Sequence, residues 1–150
     1  MTWNIHRAKG ADGHTEPARV ETSIADILAP QAPDILALQE ADHVCPPHGG
    51  ILNIARVTKA TGLAYAHGDA SLRWGADSDG FLGTILFLHR RFTHTHAALI
   101  DLPGHCHRGA VAIETEVGAR RADHFDPSVL VPALAHHPDA DHRPISDKTS

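Results

Sequence analysis

At 150 residues, with 42% apolar and 21% charged side chains, the chain has the length for one sizeable core and the composition of a globular domain rather than a disordered one. Its 13 Lys and Arg against 18 Asp and Glu leave a formal charge of −5, which argues against a broad nucleic-acid face but is compatible with a small basic pocket. Two cysteines without C-x-x-C spacing, no basic-then-apolar leader pattern and no apolar run of membrane length point to a cytoplasmic protein with reduced thiols and no membrane span.

Thr2 to His6 (TWNIH) reads as a short strand on its β-favouring Trp3 and Ile5, and Gly10 to Gly13 (GADG) as a turn. Thr15 stands where a helix N-cap is expected, with Glu16 and Pro17 in the first turn. Val20, Ile24, Ile27 and Leu28 then recur at helical spacing, and Pro30 and Pro33 stop the helix. Asp34 to Glu40 (DILALQE) is an almost unbroken apolar run ending in two polar residues, the pattern of a buried strand with functional groups at its C-terminal end. Strand, helix and buried strand make a βαβ-type opening.

After a Pro/Gly loop at Cys45 to Gly50, Ile51 to Thr61 can form a second helix closed by Gly62. Leu63 to His67 is a short strand and Ser71 to Gly80 a loop. Phe81 to His89, Phe92 to Leu102 and Gly109 to Val117 look like three strands of an antiparallel meander, broken by Arg90-Arg91 and by Pro103-Gly104. From Gly118 onward the composition shifts toward His, Asp and Pro, with only Val129 to Leu134 clearly apolar; composition alone would allow a frayed tail.

The chemistry concentrates at strand ends. Asn4 closes the first strand and Glu40 the second, and neighbouring strands of an α/β sheet open into one crevice at their carboxyl ends. Two oxygens there can converge on one hard cation, whereas either residue alone would be an ordinary solvated strand end. Arg7 and Lys9 follow Asn4 closely and are placed to meet a substrate phosphate; Arg90, Arg91 and Arg108 could also reach one, although a hairpin-end charge pair is the plain reading of the first two.

TWNIH followed after one helix by PDILALQE (Pro33 to Glu40) resembles the opening of the metal-dependent endonuclease/exonuclease/phosphatase superfamily, whose members include pancreatic deoxyribonuclease, apurinic endonucleases, sphingomyelinases and inositol polyphosphate phosphatases. GFLGTILF (Gly80 to Phe87), DLPG (Asp101 to Gly104) and RGAVA (Arg108 to Ala112) are similar to that family's central strands, with Thr84 where the family more often has Asn. RADHF (Arg121 to Phe125) and ADHRPI (Ala140 to Ile145) are similar to its last two motifs.

The resemblance implies an α/β (α+β) fold, an incomplete four-layer α-β-β-α sandwich of the deoxyribonuclease-like type, and hydrolysis of phosphate esters at an Mg²⁺ or Mn²⁺ site. Asn4 and Glu40 would hold the metal. His142 would act on the phosphate or the attacking water, Asp123 would hold its ring in the useful tautomer, and Asp141 would support the site. By their own positions rather than by the resemblance, Arg7, close after Asn4, and Arg108 would bind the substrate.

Two of the family's motifs are missing: no T-H-L follows the RGAVA strand and no D-x-N occurs anywhere. Sandwiches of this kind run to roughly 200–250 residues, so residues 1–150 read as one shortened domain with a deletion junction near 118–120. Removing partner strands would leave a sheet edge open to self-association. The rival reading is a catalytically impaired remnant that binds only a metal or a partner.

The 14 histidines are unusual, since their full protonation would move the formal charge from −5 to +9. Most have no ligand spacing, so a His-rich surface competes with metal storage or acid sensing. His94 and His96, and His105 and His107 around Cys106, alternate as residues on one strand face do, yet neither pair has partners that would complete a tetrahedral site.

Overall fold

The computed structural model of the chain describes residues 1–102, 108–117 and 128–134, and two sheets carry the strands among them. In chain order the elements are β1 (Thr2–Asn4), α1 (Pro17–Ser23), β2 (Ile35–Gln39), α2 (Ile54–Thr61), β3 (Ala64–Tyr65), β4 (Ile85–Leu88), β5 (Phe92–Leu102), β6 (Arg108–Val117) and β7 (Ser128–Leu134). The first sheet has the order β1-β2-β4-β3, and the second the order β5-β6-β7.

The βαβ opening forms as its pattern requires. β1 runs parallel to β2 with Asn4 beside Gln39, and α1 crosses between them. Pro17 occupies the first helical position, where its missing N–H has no intrahelical partner to lose. The cap itself is Glu16, without a side-chain hydrogen bond; Thr15 instead bridges Lys9 across the preceding turn. Past Ser23 the helix widens into a π-type turn at Ile24–Leu28 and tightens again at Ala29–Gln31, where Pro30 ends it. The second helix starts three residues later than its apolar pattern suggests. Asn53 caps it by accepting from Arg56 N at 3.1 Å, and Leu52 is buried outside the helix. Gly62 closes it at φ 71.

β4 does not belong to the meander expected from its sequence. It lies inside the first sheet, antiparallel to both β2 and β3, while β5, β6 and β7 form the antiparallel meander. All four residues of β4 are buried, and they alternate between two cores. Ile85 and Phe87 face α1 and α2 together with Leu36, Leu38, Val20, Ile24 and Val57. Leu86 and Leu88 face the second sheet, with Ala37, Val111 and Ile113. Fully burying such a side chain contributes about 1.5–3 kcal/mol, against about 0.5–1.5 kcal/mol for a net hydrogen bond. Packing on both faces therefore decides where so short a strand goes. The result is a mixed α and β architecture in which a helical layer, the first sheet and the second sheet stack in that order.

The second sheet also changes the reading of two histidines. The β5–β6 register slips between His94, opposite Thr115, and His96, opposite Glu114. The two positions thus oppose consecutive residues of β6 in the backbone register.

Candidate functional site

The paired ends of β1 and β2 bring three of the expected residues together. Pairing continues one step past the strands through Ile5 N to Gln39 O, at 3.0 Å. The chain then turns through His6, Arg7 and Ala8 at φ 55, 51 and 57, and Glu40 at the end of β2 lies at φ 52. Left-handed backbone at non-glycine residues costs on the order of 1–3 kcal/mol each and persists only where the surroundings hold it. Here Arg7 N donates to Glu40 O at 3.0 Å and locks the two turns together.

Their side chains then converge. Asn4 Nδ2 donates to Glu40 Oε1 at 2.9 Å, while Asn4 Oδ1 accepts from His6 N at 2.9 Å. Arg7 Nη1 donates to Glu40 Oε2 at 3.1 Å, and His6 Nδ1 lies 3.4 Å from the same oxygen. Arg7 Nη2 stands 3.6 Å from Asp42 Oδ1, and His48 Nδ1 3.6 Å from Asp42 Oδ2. His48 is itself buried, with Nδ1 3.0 Å from His43 O and its ring edge-on to Trp74. Arg7 and Asp42 also line an open cleft of about 570 Å³ that runs past Cys45 and Pro46 to Ile51.

Asp42 and His48 were not singled out from the sequence. The signal for Asp42 was its place as a second carboxylate two residues after Glu40; His48 sits in a loop whose course the sequence does not specify. A half-buried wall stands beside this floor. Asp79, whose carboxyl is pushed above its ordinary range by burial, packs against Gly50, the bridge partner of Asp42. Tyr65 donates its hydroxyl to Asp79 O, and burial, with the Asp79 charge adding, pushes its phenol up to about 12.

Of the remaining expected site residues, one lies among the described residues. Arg108 opens β6 in the second sheet, opposite Leu102 of β5 and Leu134 of β7. Asp123, Asp141 and His142, the His105–His107 pair and the junction near 118–120 lie outside the described residues.

Among the described residues, no group of three or more His, Cys, Asp and Glu side chains could hold a metal ion. The oxygen donors at the strand ends are the Glu40 carboxylate and the Asn4 amide, whose oxygen faces Glu40 only after the amide is turned over. One carboxylate and one amide, completed by water and substrate oxygens, is a donor set of the type that Mg²⁺ or Mn²⁺ accepts. No helix among the described residues is long and apolar enough to cross a membrane.

No protein-family model and no curated protein sequence matches the chain. Among solved structures it is similar to TDP2 from Caenorhabditis elegans, at 20% identity and a TM-score of 0.47, over 78% of this chain and 31% of that one. It is also similar to a truncated TDP2 of the same organism, at 18% identity and a TM-score of 0.46, over 78% and 40% of the two chains. A third similarity is to an endonuclease/exonuclease/phosphatase from Beutenbergia cavernae DSM 12333, at 19% identity and a TM-score of 0.45, over 88% of this chain and 36% of that one. The chain thus spans between 31% and 40% of the length of these three.

Proposed function

We propose that the chain is a divalent-metal-dependent phosphoesterase of the endonuclease/exonuclease/phosphatase class, with its site at the paired ends of β1 and β2. The observation that carries this reading is the meeting of Asn4 and Glu40 at 2.9 Å, on the strand ends where the motif resemblance puts the metal ligands. Four non-glycine residues in left-handed conformation around that meeting support it, because such strain gathers at functional sites.

Asn4 and Glu40 are the residues that would hold Mg²⁺ or Mn²⁺. The carboxylate brings a full charge and the amide only a dipole, so Glu40 dominates the affinity. A divalent cation bound there supplies charge neutralisation for the phosphate. Arg7, beside the site, and Arg108 bind phosphate oxygens, for which the guanidinium fork is suited. His142, with its ring oriented by Asp123, handles the proton of the attacking water or of the leaving oxygen, and Asp141 supports the site. The substrate is a phosphate ester. Among DNA, a phospholipid headgroup and a small phosphodiester, the net charge of −5 disfavours long duplex DNA. A cytoplasmic location belongs to the same proposal; Cys45 is an exposed free thiol.

The second reading, an impaired remnant, is favoured by one observation: the sequence has no D-x-N. A positioned acid or base typically contributes about 10²–10⁴-fold, so a slow hydrolase is expected, turning over activated aryl diesters and hardly any unactivated ones. The test is Mn²⁺-dependent hydrolysis of bis-p-nitrophenyl phosphate, with Glu40→Gln as control. Turnover that Glu40→Gln abolishes supports the phosphoesterase. Inactivity of the wild type on aryl diesters while it binds Mn²⁺ supports the remnant.

A further inference from the structure

We infer that Arg7 is a built-in competitor for the divalent cation: its guanidinium occupies the charge position between Glu40 and Asp42 and must release Glu40 for a cation to bind. The inference rests on the metal reading of Asn4 and Glu40 and adds a regulatory element to that site.

The geometry is that of a guanidinium bridging two acids. Nη1 is 3.1 Å from Glu40 Oε2 and Nη2 is 3.6 Å from Asp42 Oδ1. The side chain of Asp42 is 3% exposed, and a carboxylate so buried requires a compensating charge. Arg7 is fastened from its backbone as well, through its N–H to Glu40 O and its left-handed φ of 51. His6 approaches the same Glu40 oxygen, but its side chain is 75% exposed against 22% for Arg7, so solvent screens it far more.

A divalent cation and a guanidinium 3.1 Å from the same carboxylate repel each other, and at about one-fifth exposure that repulsion is only partly screened. The two nitrogens meet different acids, so the arginine can give up Glu40 while keeping Asp42. Arg7 lines the cleft beside the site.

Mn²⁺ titration followed by the electron paramagnetic resonance of the free ion tests this, with folding checked by circular dichroism. Arg7→Met is expected to bind Mn²⁺ about tenfold more tightly than the wild type, by loss of the competing charge. Arg7→Lys, which keeps a charge but cannot bridge both acids as a fork, is expected to fall between them. Glu40→Gln is expected to lose most of the affinity. Arg7→Met binding equally or more weakly would overturn the inference, while the metal reading would stand on the Glu40→Gln loss. Should Arg7→Met fail to fold, Arg7→Lys decides: tighter binding than wild type supports the competitor, and equal or weaker binding overturns it. If Glu40→Gln binds as the wild type does, the metal is elsewhere and both readings fall.

Discussion

Gly83 leaves no room beside the acidic pair. It adopts φ +76, and an added Cβ would lie 2.7 Å from Asp42 Oδ1 and 3.2 Å from Glu40 Cα. Its carbonyl also accepts from Ala41 N at 2.9 Å, so the loop before β4 is tied to the end of β2 at this point. Gly83→Ala is expected to cost about 1–3 kcal/mol from backbone strain and to weaken Mn²⁺ binding by displacing the carboxylates. Thermal unfolding and Mn²⁺ titration of the variant check both, and an unchanged melting temperature would show that the loop relaxes freely. Its neighbour Thr84 behaves oppositely. Thr84 is fully buried, and its Oγ1 has no hydrogen-bond partner among the described residues, at the position where the resembling family more often carries Asn. An unsatisfied buried hydroxyl costs roughly 1–3 kcal/mol, so Thr84→Val is expected to raise stability by about 1 kcal/mol in urea unfolding. Destabilisation would mean that the hydroxyl has a partner.

Among the elements, β3 depends on one imidazole more than on its own two-residue ladder. His67 follows it, fully buried, with Nδ1 2.8 Å from Leu72 O while Nε2 accepts from Leu86 N at 3.1 Å. Only the neutral ring with its proton on Nδ1 satisfies both contacts. Burial pushes the ring's pKa below the ordinary value, against the raising effect of Leu72 O and with that of the Arg73 charge added. The folded ring therefore refuses a proton that the unfolded chain accepts. Its contribution is fully retained above the ordinary imidazole pKa of 6.5 and is lost as pH falls through it toward the lowered folded value, with a limiting slope of about 1.4 kcal/mol per pH unit. Urea midpoints between pH 7.5 and 5 should fall less steeply in His67→Gln than in the wild type. Parallel slopes would assign the acid sensitivity to other histidines.

At the scale of the whole molecule, the two sheets formed by the described residues have four edge strands, whose backbone is a template for pairing. β1 and β3 bound the first sheet, and β5 and β7 bound the second. β5 spans 11 residues, and Ile100 on it is exposed; the bulge near His94 is one of the devices that discourage edge pairing, but it sits at the other end of the strand. Self-association through β5 is expected at high concentration, and Ile100→Lys should weaken it several-fold. Sedimentation velocity on the two proteins decides the matter: a wild type that stays monomeric contradicts it.

The opening of the fold and the meeting of Asn4 with Glu40 were legible in the sequence because they rest on local signals. An unbroken apolar run marks β2, Pro17 and Gly62 punctuate the helices, and Asn4 and Glu40 stand at the ends of strands whose pairing follows from the βαβ order. The partner sheet of β4 was not legible. Phe81 to His89 and Phe92 to Leu102 are adjacent in sequence and equally strand-like, and only burial on both faces sends Ile85–Leu88 into one sheet and Phe92–Leu102 into the other. The same holds for the register slip between His94 and His96, which no spacing records. It holds again for Arg7. Its place near Asn4 is written in the sequence, but its contacts are decided by left-handed turns at Arg7 and Glu40 that bring a guanidinium onto two carboxylates following β2. Local propensity specifies elements; which charges then face one another depends on how those elements pack, and that only the tertiary structure decides.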